Sequence, residues 1–325
     1  MRLLVTGGAG YIGSICARRL LDEGHDVTVL DDLSRGHRPA VPEGAELTEV
    51  DLLDAAELRD ALAAGYDGVL HFAALALVAE SVDHPERYWR TNVGGTLNLL
   101  DAMRAGGVGR LVFSSTCACY GEPDRIPITE DTSERPVNPY GESKLAVDRM
   151  IASECAAHGL GAVSLRYFNV AGASGPLGEH HEPETHLIPN VLKVALGQKE
   201  AVDVYGTDYP TDDGTAVRDY IHIDDLAEAH LLALERAEPG VHRILNLGNG
   251  SGFSVRQVIE AARRVTGHAI PVNEAPRRPG DPPRLVAGSE RVRSELGWTP
   301  SKPEIETILA DAWAWHQAHP NGYSE

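Results

Sequence analysis

Tyr140-Gly141-Glu142-Ser143-Lys144 sets a phenol and an ammonium four residues apart, just after Pro139 and at the start of a helical run reaching His158. On a helix this spacing puts both side chains on one face, one turn apart. A free tyrosine has a pKa of about 10 and is a poor base at neutral pH. A nearby positive charge favours the phenolate and brings it into working range. The chemistry expected of the pair is therefore proton transfer at a substrate hydroxyl. Tyr-x-x-x-Lys matches arise often by chance, so the pair gains meaning only from what else the chain carries.

A glycine loop supplies that context. Gly8-Ala9-Gly10-Tyr11-Ile12-Gly13 fits the dinucleotide fingerprint, and Gly7, Gly10 and Gly13 fit a looser three-residue spacing. Glycine is required because a side chain would keep a pyrophosphate away from the backbone N–H groups at a helix N-terminus. The strand-like Leu3-Leu4-Val5 precedes the loop and a helical pattern follows. Asp31 ends the next strand at about the expected ~20 residues. A carboxylate there accepts bonds from both adenosine ribose hydroxyls and repels a 2′-phosphate. Arg35 could serve NADP, but Asp31 and Asp32 oppose it, so NAD is the expected cofactor.

The elements that must position these groups alternate. Strand-like runs stand at 3–5, 27–30, 69–73 and 111–114, with helical patterns at 12–23 and 95–105 between them. Runs apolar on both faces suit a parallel sheet covered by helices, and the β-then-α order implies a doubly wound α/β domain. After about Ala171 the texture changes to segments rich in Gly, Pro, His and acids. Helices are predicted over 224–236, 255–266 and around 305–316, and a strand over 244–247. The expected organisation is a Rossmann domain over residues 1–170 and a smaller α/β substrate domain over 171–325, with some later segments packing back onto the first.

Composition bounds the partners. With 325 residues, 42% of them hydrophobic, the chain has material for about two domains. Its 48 acids against 29 Lys and Arg give a net charge of −19, which argues against nucleic acid or an anionic membrane. The apolar stretch 69–79 is too short to span a bilayer, which takes about 20 residues. A glycine loop beginning at Gly7 leaves no room for a cleavable leader. The four cysteines show neither zinc nor disulfide spacing. A cytoplasmic protein is expected.

Taken together, Gly7-x-x-Gly10-x-x-Gly13, Asp31, Asn92, Ser114-Ser115-Thr116 and Tyr140-x-x-x-Lys144 resemble the extended short-chain dehydrogenase/reductase superfamily over essentially the whole chain. His71-Phe72-Ala73-Ala74, Arg166-Tyr167-Phe168-Asn169, the run 208–215, Val217-Arg218-Asp219-Tyr220-Ile221-His222 and Arg277-Arg278-Pro279-Gly280-Asp281 narrow the resemblance to the UDP-glucose 4-epimerase family. That resemblance implies C4 epimerisation of UDP-glucose and UDP-galactose through a transient 4-keto sugar, with N-acetyl sugars as further candidates. It implies Tyr140 as the base, Thr116 as a hydrogen-bond partner of the 4-hydroxyl, and Lys144 on the nicotinamide ribose. Gly7, Gly10, Tyr11, Ile12, Gly13, Asp31, Asp32, Leu33, Asp51, Leu52, Phe72, Ala73, Ala74, Asn92, Ser114 and Phe168 would hold NAD. Asn169, His186, Leu187, Tyr205, Arg218, Arg278, Asp281 and Leu285 would meet the UDP-sugar. A homodimer paired through two helices of the first domain is expected on the same ground.

Other readings fare worse. A dehydratase needs a carboxylate beside the threonine, whereas Cys117 and Ala118 follow Thr116. Cys117 keeps open epimerisation at other carbons by a cysteine acid/base, and an NAD-sensing regulator is a non-catalytic alternative. Cys117 and Cys119 are expected on one side of a strand end as inert thiols. Glu179-His180-His181-Glu182-Pro183-Glu184-Thr185-His186 carries metal-ligand types. His181 and His186 are five apart and Pro183 breaks a helix between them, so a substrate loop is expected there and no metal. The run Asp208–Gly214 faintly resembles a calcium loop, but Pro210 takes a position that needs an oxygen side chain.

Overall fold

In the computed structural model, which describes residues 1–278 and 280–324, the strands Arg2–Thr6 (β1), Asp26–Asp31 (β2), Glu46–Glu49 (β3), Gly68–His71 (β4), Arg110–Thr116 (β5) and Gly161–Tyr167 (β6) come first. Shorter ones follow: Asn169–Ala171 (β7), Val202–Tyr205 (β8), Val217–Arg218 (β9), Tyr220–His222 (β10), His242–Leu247 (β11), Phe253–Ser254 (β12), Val272–Ala275 (β13) and Arg284–Leu285 (β14). The helices are Tyr11–Asp22 (α1), Ala55–Leu62 (α2), Val78–Asp83 (α3), Pro85–Tyr88 (α4), Gly95–Gly106 (α5), Pro139–His158 (α6), Leu187–Ala195 (α7), Ile223–Glu235 (α8), Val255–Thr266 (α9), Glu290–Leu296 (α10) and Ile305–Ala318 (α11).

Seven strands form one parallel sheet in the order β11-β6-β5-β4-β1-β2-β3. The order reverses between β1 and β4, and that reversal opens a crevice at the carboxyl ends of the strands. Side chains alternate between two cores, because successive residues of a strand face opposite ways. Leu3 and Val5 pack on one face with α1 and α8; Leu4, Leu111 and Phe113 pack on the other with α2, α5 and α6. A third core, built from α7, α9, α11, β8 and β10, carries the second layer group. This is the doubly wound fold expected, with a smaller α/β unit beyond it.

Several segments after residue 171 pack back, among them β11, α8 and α10. The predicted strand 244–247 lies in the large sheet as β11 beside β6, and α8 lies against α1. The predicted strand 69–73 stops at His71, where the chain turns into the crevice. Pro279 of the Arg277–Asp281 motif lies outside the described residues. Among the described residues, no helix is long and apolar enough to cross a membrane. All four cysteines are free thiols.

Candidate active site

The glycine loop occupies the β1–β4 crevice, and local sterics explain its composition. Gly7 is left-handed (φ 71°), and a Cβ there would stand 2.5 Å from the Ala73 nitrogen. A Cβ on Gly13 would lie 2.2 Å from the Gly7 carbonyl. The Phe72 and Ala73 N–H groups both donate to the Thr6 carbonyl, at 2.9 and 3.1 Å, which draws the strand after His71 against the loop. Gly10 is the N-cap of α1, and no side chain caps that helix. Tyr11, Ile12 and Gly13 thus present their N–H groups at a bare helix N-terminus, which suits a diphosphate.

Asp31 is 7% exposed and accepts from the N–H groups of Ala9 and Leu33, each at 2.9 Å. Burial pushes its carboxyl above the usual range, while the two N–H donors pull it back down. Among the described residues Leu33 is the only non-glycine with positive φ, at 57°. Asp32 is exposed and accepts from the Ser34 N–H and hydroxyl. Asp51 is exposed and Leu52 is buried against Gly95 of α5. The residues present fit a dinucleotide: a cradle that a Cβ would fill, a bare helix N-terminus and a buried carboxylate at the end of β2.

Asn92 sits in the π-type turn 89–94 that leads into α5, and its amide is fully engaged. It accepts from the Leu75 N–H (2.8 Å) and donates to the Leu75 carbonyl and the Ser143 hydroxyl, both at 3.0 Å. It ties the loop after β4 to α6. The structure brings it beside the Tyr-Lys helix as a bracket.

Thr116 ends β5 and caps the short turn Cys117–Tyr120, accepting from the Ala118 N–H at 3.2 Å. Cys117 and Cys119 therefore lie in a 3₁₀ turn and not on a strand edge. Burial pushes both thiols up to about 12, which leaves them neutral. Helix α6 begins at Pro139 with the Asn138 side chain accepting from the Gly141 N–H (2.9 Å), so Tyr140 is held in its first turn. The Lys144 ammonium is 3% exposed, donates to the Ser114 carbonyl at 2.8 Å and lies 4.8 Å from the Phe113 ring centre. Burial brings it down to about 8, against Asp148, which raises it.

Burial dominates the surroundings of Tyr140. Burial pushes its phenol up, the neighbouring Thr116 hydroxyl pulls it down, and Cys117 and Cys119 add to the rise. Desolvation outweighs the helix-face lysine in the protein by itself, because the Lys144 ammonium is turned toward Ser114. Ser114 in turn bonds its hydroxyl to Tyr167, and Phe168 and Asn169 are half-buried at the exit of β6.

The second half brings Arg218 to the same mouth. Arg218 pairs with Asp281 and also donates to the Val217 carbonyl at 2.7 Å. Its positive charge reaches the Cys117 thiol, next to Thr116. Leu285 is the register partner of Arg218 where β14 meets β9. The Arg278 guanidinium stacks 4.0 Å from the Tyr205 ring centre. His186 is bonded to Glu179 at the start of α7, with Leu187 half-buried after it.

Several positioning residues escape a motif search. A Cβ on Gly141 would lie 2.6 Å from the Ala118 carbonyl, so this glycine lets α6 press Tyr140 against the Thr116 turn. Arg166 is fully buried and bonds Asp148, which also accepts from Ser115 at 3.0 Å. Asp219, with 0% exposure, accepts from the N–H groups of Asn249, Gly250 and Ala287 at 2.8–3.0 Å and anchors the loops around Arg218. The Tyr-Gly dipeptide and the charged residue inside the apolar run 161–167 were the available signals.

The chain is 59% identical to a UDP-glucose 4-epimerase of Corynebacterium glutamicum over 319 residues, covering 98% of this chain and 96% of that one. A crystal structure of a UDP-glucose 4-epimerase superposes with a TM-score of 0.97 at 48% identity, covering 100% of both chains. The UDP-glucose 4-epimerase of Bifidobacterium longum, solved in complex with NAD+ and UDP, superposes with a TM-score of 0.94 at 37% identity, covering 99% of this chain and 100% of that one. Residues 3–248 match the family described as NAD dependent epimerase/dehydratase, and the chain belongs to that family.

Proposed function

We propose that this chain is a NAD-dependent isomerase that interconverts UDP-glucose and UDP-galactose at C4 through a transient 4-keto sugar. The observation that carries the reading is one convergence at the end of β5: the Thr116 hydroxyl neighbours the Tyr140 phenol, Lys144 donates to the Ser114 carbonyl, and the Arg218 charge reaches Cys117 next to Thr116. Full-length identity of 59% to a curated epimerase supports it.

Bound NAD supplies an acceptor for the C4 hydride and returns it. The chain's own part is proton handling and orientation. Tyr140 takes the proton of the 4-hydroxyl and gives it back to the same oxygen after the sugar has turned its other face. Thr116 bonds that hydroxyl and lowers the cost of a phenolate at Tyr140. Lys144, held by the Ser114 carbonyl, orients the nicotinamide ribose and keeps a positive charge near the reacting oxygen. Arg218 and Arg278 bind the diphosphate, where guanidinium forks match phosphate oxygens. A protein of net charge −19 needs such fixed local cations to hold a dianionic ligand. The enzyme acts as a cytoplasmic homodimer in galactose metabolism, with α5 and α6 as the pairing helices.

The test is product analysis. Purified protein is denatured to release and identify its nucleotide, and native protein is mixed separately with UDP-galactose and with UDP-glucose. Both mixtures should reach the same final ratio of the two sugars. Protein that holds NAD yet leaves UDP-galactose unchanged defeats the reading.

A further inference from the structure

We propose that Glu179, His181, Glu184 and His186 form a binding site for a divalent transition-metal ion of zinc's class, which pins the loop ahead of α7. The spacing argument against a metal assumed a helix, and the segment is a loop that folds back on itself. One ligand atom from each of the four residues lies within 4.8 Å of all the others. The His181 Nδ1 stands 3.3 Å from Glu179 and 3.7 Å from Glu184, and the His186 Nδ1 stands 4.0 Å from Glu184 and in contact with Glu179. Ligands about 2.0–2.2 Å from a tetrahedral ion stand about 3.3–3.6 Å from one another. The four donors therefore need only small shifts to enclose one.

Charge balance makes the same point independently. The Glu179 and Glu184 side chains are 5% and 4% exposed. Among the described residues neither pairs with a lysine or arginine; their ion-pair partners are His181 and His186 alone. Two buried carboxylates need two positive charges nearby. Two imidazolium protons supply them, and so does one divalent ion with both imidazoles neutral. Exchange of two protons for one ion leaves the net charge of the site unchanged.

The surroundings suit a site of this kind. The other groups facing it are Tyr11 of α1, whose ring meets His181 edge-on at 6.4 Å, His180, Lys193 of α7, His316 of α11 and Tyr323. Burial holds His316 neutral, down to about 4, so it adds no competing charge. The Glu184 carboxylate is oriented by the His186 N–H at 2.7 Å, an outer bond of the type that fixes metal ligands. The His186 side chain is 52% exposed and gives an ion an entry path. Mixed imidazole and carboxylate donors suit zinc and its neighbours, whereas magnesium and calcium prefer oxygen alone. Tyr11 also donates to the Gly172 carbonyl at 2.7 Å, which ties the start of α1 to the segment ahead of the loop.

The test uses the full chain stripped with a chelator and dialysed against Zn2+, with metal analysis of wild type, His181→Ala and Glu184→Gln. One ion per wild-type chain is expected, with affinity reduced about 100-fold or more in each variant. Mg2+ should not compete. Co2+ should give the spectrum of a four-coordinate nitrogen and oxygen site without thiolate bands. Equal binding in wild type and variants, a thiolate band, or no stoichiometric ion overturns the proposal. If a variant fails to fold, the stoichiometry and the Co2+ spectrum of wild type decide.

Discussion

Arg166 and Asp148 are joined side by side beneath the candidate active site: the Arg166 Nε and Nη2 both donate to one Asp148 oxygen, at 3.0 and 2.7 Å, with Arg166 wholly buried. Asp148 lies one helical turn after Lys144 and favours its charged form. Replacing Asp148 with Asn removes that support. The Lys144 pKa should move below its present value of about 8, and the alkaline limb of kcat/KM should move to lower pH. Stability should fall by about 3–5 kcal/mol, the usual effect of leaving a buried charge without its partner, toward the low end because Glu134 still bonds Arg166 at 2.6 Å. A pH profile and a denaturant melt of the variant read the two effects apart. An alkaline limb that stays in place would detach Lys144 from it.

Tyr140→Phe should lose about 10²–10⁴ in turnover, the usual effect of removing one acid/base group. The glycine loop and Asp31 are untouched, so nucleotide content should match wild type. Near-normal turnover in this variant would remove Tyr140 from the role of base.

Asp31 should make the enzyme selective for NAD over NADP, since its buried carboxylate would face the 2′-phosphate. Asp31→Ala should also retain NAD poorly, because the Ala9 and Leu33 N–H groups lose their acceptor and the loop loosens. Cofactor retention after gel filtration measures both. Equal activity with NAD and NADP in the wild type would assign the choice to another group.

Leu285 stands opposite Arg218 in the β14–β9 pairing, beside the diphosphate-binding candidate. Leu285→Tyr should lower the preference for N-acetyl sugars and Leu285→Ala should raise it. The expected size is about 1–3 kcal/mol of discrimination. The ratio of kcat/KM for plain and N-acetyl UDP-sugars across the three proteins checks this, and a flat ratio moves Leu285 out of the pocket.

Three buried histidines should govern acid stability. Burial holds His71 down to about 3, and His230 and His316 down to about 4. Their folded pKa values lie below the unfolded value of about 6.5, so unfolding takes up protons as the pH falls. Their contribution is complete above about pH 6.5 and is lost toward pH 4, at about 1.4 kcal/mol per pH unit for each histidine. His181 has the opposite sign: it is held protonated to about 10, so its contribution fades as the pH rises from 6.5 toward 10. Metal-free protein should therefore melt highest near neutrality, and His230→Gln should flatten the acid side. A Tm constant between pH 4.5 and 6.5 would contradict this.

The parallel sheet was readable where strands are apolar on both faces, as in Leu3-Leu4-Val5 and Val69-Leu70. Gly161–Tyr167 escaped because Ser164 and Arg166 interrupt its apolar run, although both are fully buried and bonded to partners far along the chain. The placement of Tyr140 and Lys144 in one stretch of α6 and of the glycine turn between β1 and α1 was legible because local spacing encodes both: one helical turn, one glycine repeat. The Asp148–Arg166 pair, the Asp219 anchor and the four-residue cluster of the 179–186 loop are built by tertiary approach, which no spacing reveals. The rise of the Tyr140 phenol was likewise invisible, since desolvation depends on what covers a side chain and not on its neighbours in sequence.

Strand β11 has a consequence for how this chain can be divided. It covers the outer side of β6 with six residues contributed from the second half, while α8 shields one face of the sheet beside α1. A fragment ending at residue 170 would present β6 as a bare edge and leave the face that α8 covers, including Leu165 and Leu70, open to water. The first half of the chain is thus interlocked with the second. Expressed alone it should associate through that edge, and a circular permutation that keeps β11 and α8 in place should be tolerated better than truncation.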